Sequence, residues 1–137
     1  MIIRRANEVR ELDVEKIVGV SGIKMTVKWM IDKNVGGEEY GHRFAVRYFT
    51  MAPGGEYPMH KHHYVEAVFL ITGKLAFADQ SGNWVEIGPG DVVYTARWEE
   101  HALKNVGQET AAFICCIDCE PEGEPCEAPM MDTATRG

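Results

Sequence analysis

No run of 18 consecutive apolar residues occurs in these 137 residues, so none is predicted to cross a bilayer as a helix. The first residues, Met1 to Glu8, lack the apolar core of a secretion signal. Together these two absences predict a soluble, cytoplasmic protein. Basic charge is also scarce, 14 Lys and Arg against 21 Asp and Glu for a net charge of −7. That balance argues against nucleic acid, whose phosphates call for a clustered Lys and Arg face. Neither nucleic acid nor membrane is expected as a partner. Cysteine is missing from most of the chain, and Cys115, Cys116, Cys119 and Cys126 crowd toward the C-terminus. A disulfide framework would be spread more widely, so these residues are predicted to be reduced thiols and the core to be held by burial. Convincing helical periodicity, internal repeats and linkers are absent too. A chain of this length then reads as one domain, 1–120, followed by an irregular tail, 121–137, where Pro121, Gly123, Pro125 and Pro129 interrupt backbone pairing.

What is present is a series of short runs rich in Val, Ile, Phe, Tyr and Thr, broken by Gly, Pro, Asn and Asp. This is the pattern of an all-β sandwich or barrel. Strands are predicted at Phe44 to Met51, Ala67 to Thr72, Lys74 to Ala78, Trp84 to Ile87, Val92 to Thr95 and Thr110 to Ile117, linked as a meander of hairpins. Lys16 to Asp32 reads as one or two further strands around Ser21-Gly22, and Asn7 to Leu12 leaves a short helix open.

The chemistry concentrates between Gly54 and Gly73. His60 and His62 stand at i and i+2, which in a strand places both on one face, and Glu66 follows four residues later. Neutral imidazole and carboxylate together suit Mn, Fe, Co, Ni, Cu or Zn. Such an ion needs three or four ligands, with a further histidine from another strand, and His101 is the candidate.

Gly54, His60, His62, Glu66 and Gly73 match the fixed positions of the first cupin motif, G(X)5HXH(X)3,4E(X)6G. Gly90, His101 and Asn105 keep the spacing of the second, G(X)5PXG(X)2H(X)3N, with Ala96 in the Pro slot and Trp98 in the Gly slot. The chain thus resembles a small single-domain cupin, with motif 1 at 54–73 and motif 2 at 90–105. The resemblance implies a double-stranded β-helix, or jelly roll, with one divalent transition metal held by His60, His62, Glu66 and His101, and frequent homodimers. It also implies a range of enzymes, among them dioxygenases, decarboxylases, isomerases and lyases, beside non-catalytic binding domains. A fold so widely used does not settle the function.

The leading expectation is a metal-dependent enzyme acting on a small organic molecule by dioxygenase-type oxidation, with Glu66 as a ligand or a base. A sensor or binding module using the same pocket is the alternative, and a purely structural metal a third. Arg47 shares parity with Ala45 and Phe49; it is either a bidentate clamp for a substrate carboxylate inside the barrel or a solvated strand residue. Cys115 would line the pocket with Phe113 and Ile117, as a redox-sensitive thiol or as a small buried hydrophobe, and Cys116 would point away. The Cys116 to Cys119 spacing lacks the second pair of a structural zinc site. His42 and His63 have no spaced partner and stay outside the site. Trp84, Tyr94, Trp98, Tyr57 and Tyr64 either rim a pocket or pack the sheets.

Overall fold

The computed structural model describes residues 1–119 and 126–129. Among them, strands form a six-stranded and a four-stranded antiparallel sheet, an all-β jelly-roll arrangement. The first sheet runs β1 (Leu12–Asp13), β2 (Met25–Ile31), β3 (Phe44–Met51), β10 (Ala111–Asp118), β5 (Glu66–Thr72) and β8 (Val92–Thr95). The second runs β4 (Glu56–His60), β9 (His101–Asn105), β6 (Leu75–Asp79) and β7 (Trp84–Ile87). This order corrects the expected meander. β3 pairs with β10 and β4 with β9, because the chain crosses repeatedly between the sheets and closes its long-range pairs at the end.

The strand positions follow from alternation. In β3, Ala45, Arg47, Phe49 and Met51 are buried while their neighbours are not, and β10 buries Ala111, Phe113, Cys115 and Ile117 in the same way. Period-2 burial needs no other signal to place a strand. Phe49 and Phe113 stack across the pair at 5.3 Å between ring centroids and anchor a core with Ile23, Met51, Leu70 and Leu75. Each such buried side chain contributes about 1.5–3 kcal/mol.

The N-terminal region departs from expectation. Val14–Val18 form a helix, α1, whose residues 16–18 fall where strand was predicted, and one strand, β2, follows it. The reason is local: the Asp13 carboxylate accepts from the Glu15 amide at 2.9 Å, and Gly19 closes the helix at φ 75°. The helix left open at Asn7 to Leu12 amounts to a single 3-10 turn, Ala6–Glu8.

The cysteines require a second correction. Cys115 and Cys116 are free, but Cys119 and Cys126 form a disulfide, their Cα atoms 5.3 Å apart. Residues 126–129 return to the barrel: the Cys126 carbonyl accepts from the Lys33 amide at 2.8 Å, and Asp32 accepts from the Ala128 amide. That return, invisible to spacing, brings the two sulfurs together. The rest of the expected tail, 120–125 and 130–137, lies outside the described residues. Among the described residues no helix is long and apolar enough to cross a membrane.

Candidate metal centre

His60 and His101 are direct partners in the β4–β9 register, with ring centroids 4.2 Å apart. A register shift between Tyr57 and His60 makes this pairing inward-facing, and Pro58 sits within it on an edge strand, where its missing N–H costs no ladder bond. β4 ends at His60, so His62 does not reach the site by strand alternation as expected. It enters from the loop that follows, held by the Trp98 amide, which donates to the His62 carbonyl at 2.8 Å. One nitrogen from each of His60, His62 and His101 then lies within 4.8 Å of the others.

The three rings are oriented alike. Nδ1 of His60 donates to the Pro58 carbonyl at 2.8 Å, Nδ1 of His62 to Tyr64 at 3.1 Å and Nδ1 of His101 to Glu99 at 2.8 Å. A carbonyl only accepts, so each Nδ1 carries a proton, and in the neutral ring Nε2 is then the nitrogen left to ligate. Nε2 of His62 and of His101 are buried without a hydrogen bond. Burial pushes His60 down to about 4, against the bond to Pro58, so its ring stays neutral near pH 7.

Glu66, at the start of β5, places Oε1 3.3 Å from His62 Nε2 and 3.5 Å from His101 Nε2. Its other oxygen is engaged: Arg47 Nη2 donates to Oε2 at 2.8 Å, and the Cys115 thiol donates to the same atom. Register explains the trio, because Cys115 on β10 lies opposite Arg47 on β3, while β5 flanks β10 on its other side. Burial opposes charge on Glu66, but His101, His62 and Arg47 outweigh it and hold the carboxyl well below its ordinary range. Burial raises Cys115 well above the usual thiol value, so it remains a neutral donor. Arg47 is therefore an interior residue, 8% exposed, and not a solvated one.

A cavity of about 80 Å³ lies against His60, His62 and Glu66. Through Arg47, Phe49, Tyr57 and Tyr64 it shares walls with a larger chamber of about 420 Å³, bounded outward by Trp29, Ile117 and α1. Tyr64 stacks on His62 at 4.1 Å and Tyr57 packs on His60 at 4.2 Å. Burial raises both phenols, Tyr64 to about 12. Trp29 escaped the sequence reading; its signal was the i, i+2 parity with Met25 and Val27. Trp84 instead packs under Lys104, and Tyr94 and Trp98 are exposed. His42 packs on Phe44, and His63 lies against Tyr64 and Trp98.

Buried, unpaired Nε2 atoms converging beside a carboxylate oxygen are the donor set a divalent transition metal requires. The three histidines could hold such an ion, with Glu66 Oε1 as a fourth donor. The family described as Cupin_2, cupin domain, matches residues 47–117, which contain all four. The chain belongs to the cupin family. This cupin is 32% identical over 68 residues to an oxalate-binding protein of Thermotoga maritima, covering 49% of the chain and 55% of that protein. It is 25% identical over 75 residues to a 1-methylthio-D-xylulose 5-phosphate methylsulfurylase of Rhodospirillum rubrum, covering 55% and 47%. The chain thus spans about half the length of these curated relatives. Its fold is similar to that of the polyketide cyclase RemF of Streptomyces resistomycificus, with a TM-score of 0.73, 23% identity and coverage of 96% and 89%.

Proposed function

We propose that this cupin binds one divalent transition metal through His60, His62 and His101, with Glu66 Oε1 beside them, and acts on a small organic molecule by dioxygenase-type oxidation. The observation that carries the reading is the convergence of one nitrogen from each of His60, His62 and His101 within 4.8 Å, with the Nε2 atoms of His62 and His101 buried beside Glu66 Oε1. Bound there, an ion supplies Lewis acidity and, for Fe, Mn or Cu, redox chemistry with dioxygen.

The chain's own residues do the rest. Arg47 and Cys115 hold Oε2 of Glu66, so only Oε1 faces the centre, as one ligand atom or as the acceptor of a substrate proton. The aromatic wall of Phe49, Tyr57 and Tyr64 limits water at the small cavity and orients what enters from the chamber. Elemental analysis of protein purified without added metal tests the centre, with about one equivalent expected in the native chain and none in His62→Ala. Equal metal content in both would refute it. Oxygen uptake with a panel of phenols and diketones tests the reaction, and a metal-loaded protein inert to the whole panel would remove the oxidation.

The oxalate-binding relative favours a second reading, a binding module using the same chamber. Oxalate raising the melting temperature of metal-loaded protein while remaining chemically intact is the result expected from it.

A further inference from the structure

We propose that the cleft between the free edges of β7 and β8 is a second binding site, which takes a small organic cation, a protonated amine carried on an apolar body. The proposal goes beyond the metal reading and does not depend on it.

The six-stranded sheet ends at β8 and the four-stranded one at β7, with no ladder joining the two edges. Between them lies a cleft of about 370 Å³, within the range of roughly 300–1,000 Å³ typical of small-molecule sites. Val85 marks the gap. It stands opposite Phe77 in the β6–β7 register, and directly opposed residues share a face, so Val85 belongs to the inner face of its sheet. Phe77 is 8% exposed and Val85 64%, because the sheets part before β8 can cover the second of them. With Ile87 and Val93 these two side chains form the apolar end of the cleft.

The other end is acidic. Asp79, Glu99 and Glu100 line it, and among the described residues of the lining there is no Lys or Arg. The Ser81 amide and hydroxyl donate to Oδ1 of Asp79, and the Ala96 amide donates to Oε1 of Glu99 at 2.9 Å. The second oxygen of each carboxylate has no partner among the described residues. A buried hydroxyl points to the same occupant. Thr95 is 4% exposed, and its Oγ1 is buried without a hydrogen bond. Alternation along β8 puts Thr95 on the inner face with Val93, where both line the cleft. An orphaned hydroxyl costs stability until a ligand meets it. An ammonium group carries three donors, no acceptor and the charge opposite to the acids, so it meets Thr95 and the free carboxylate oxygens together. Its apolar body then covers Val85. None of Asp79, Thr95 and Glu99 belongs to the chamber, whose walls carry Arg47 instead.

The test is a heteronuclear amide NMR titration of the full chain at low ionic strength with phenethylamine, which is protonated at neutral pH. Phenethyl alcohol and hydrocinnamate keep the ring and carry no charge or a negative one. The amine should shift amides of β6, β7 and β8 and bind at least tenfold more tightly than the alcohol, and hydrocinnamate should not bind. Ethylamine, a head without the ring, should bind at least tenfold more weakly than phenethylamine. Asp79→Asn and Glu99→Gln keep the bonds to Ser81 and Ala96, and combined they should weaken the amine tenfold or more. Thr95→Val should weaken it severalfold while raising the melting temperature of the ligand-free protein, because the orphaned hydroxyl is gone. His62→Ala, which removes a proposed metal ligand, should bind the amine as the native chain does, so a failed metal reading leaves this site intact. Equal affinity for amine and alcohol, shifts gathered at Trp29 and Tyr64, a double variant with native affinity, or no binding of the amine overturns the proposal. Magnesium perturbing the same amides and binding more tightly than the amine would assign the acids to a metal ion and overturn it as well.

Discussion

Trp98 holds φ 64° at a position where the cupin pattern has glycine, and its ring is 62% exposed. The left-handed conformation costs a residue with a Cβ about 1–2 kcal/mol, and glycine there returns about 0.5–1 kcal/mol of it as backbone entropy. Trp98→Gly is therefore expected to stabilise the protein by about 0.5–1 kcal/mol, read as a higher midpoint in urea at unchanged slope. The strain is tolerated because the Trp98 amide anchors the His62 carbonyl and so fixes a proposed ligand. Arg47 carries the opposite lesson. Removing its charge leaves Glu66 buried and uncompensated, so Arg47→Met is expected to destabilise the metal-free protein by about 3–5 kcal/mol in the same assay.

At the scale of elements, the turn from β5 to β6 depends on Gly73. It adopts φ 96°, and a Cβ there would lie 2.7 Å from the Cα of Ala111. Gly73→Ala combines backbone strain with a backbone clash and should cost more than about 2 kcal/mol, lowering the melting temperature by several degrees. The Cys119–Cys126 bridge joins the end of β10 to the returning segment 126–129, which lines the outer chamber. Closing so short a loop is worth about 2–3 kcal/mol in the chain-entropy account. Dithiothreitol should thus lower the melting temperature of the native chain and leave Cys119→Ser unaffected. A native chain equally insensitive would show that the bridge contributes no stability.

For the whole molecule, the proposed centre links the two sheets. His60 and His101 belong to the four-stranded sheet, Glu66 to the six-stranded one, and His62 to the loop between β4 and β5. An ion bound across them stabilises the folded state by mass action, about 2.7 kcal/mol at a hundredfold excess over the dissociation constant. Zinc should raise the melting temperature of the native chain by several degrees and leave that of His62→Ala unchanged.

Most strands were legible in the sequence, because alternation at Ala45, Arg47, Phe49 and Met51, or at Phe113, Cys115 and Ile117, is a property of neighbours along the chain. The meeting of His60, His62 and His101 was legible from motif spacing, which is read along the chain. What stayed hidden depends on residues far apart in sequence meeting in space. The pairing of Cys119 with Cys126, the strand order behind the apparent meander, and the meeting of Arg47, Glu66 and Cys115 on three adjacent strands all follow from long-range register. So does the chamber between Trp29 and Tyr64. The sequence determined which residues alternate and which donors are available; only tertiary closure decided which carboxylate oxygen faces the histidines, because hydrogen bonds across the barrel, not spacing, engage the other one.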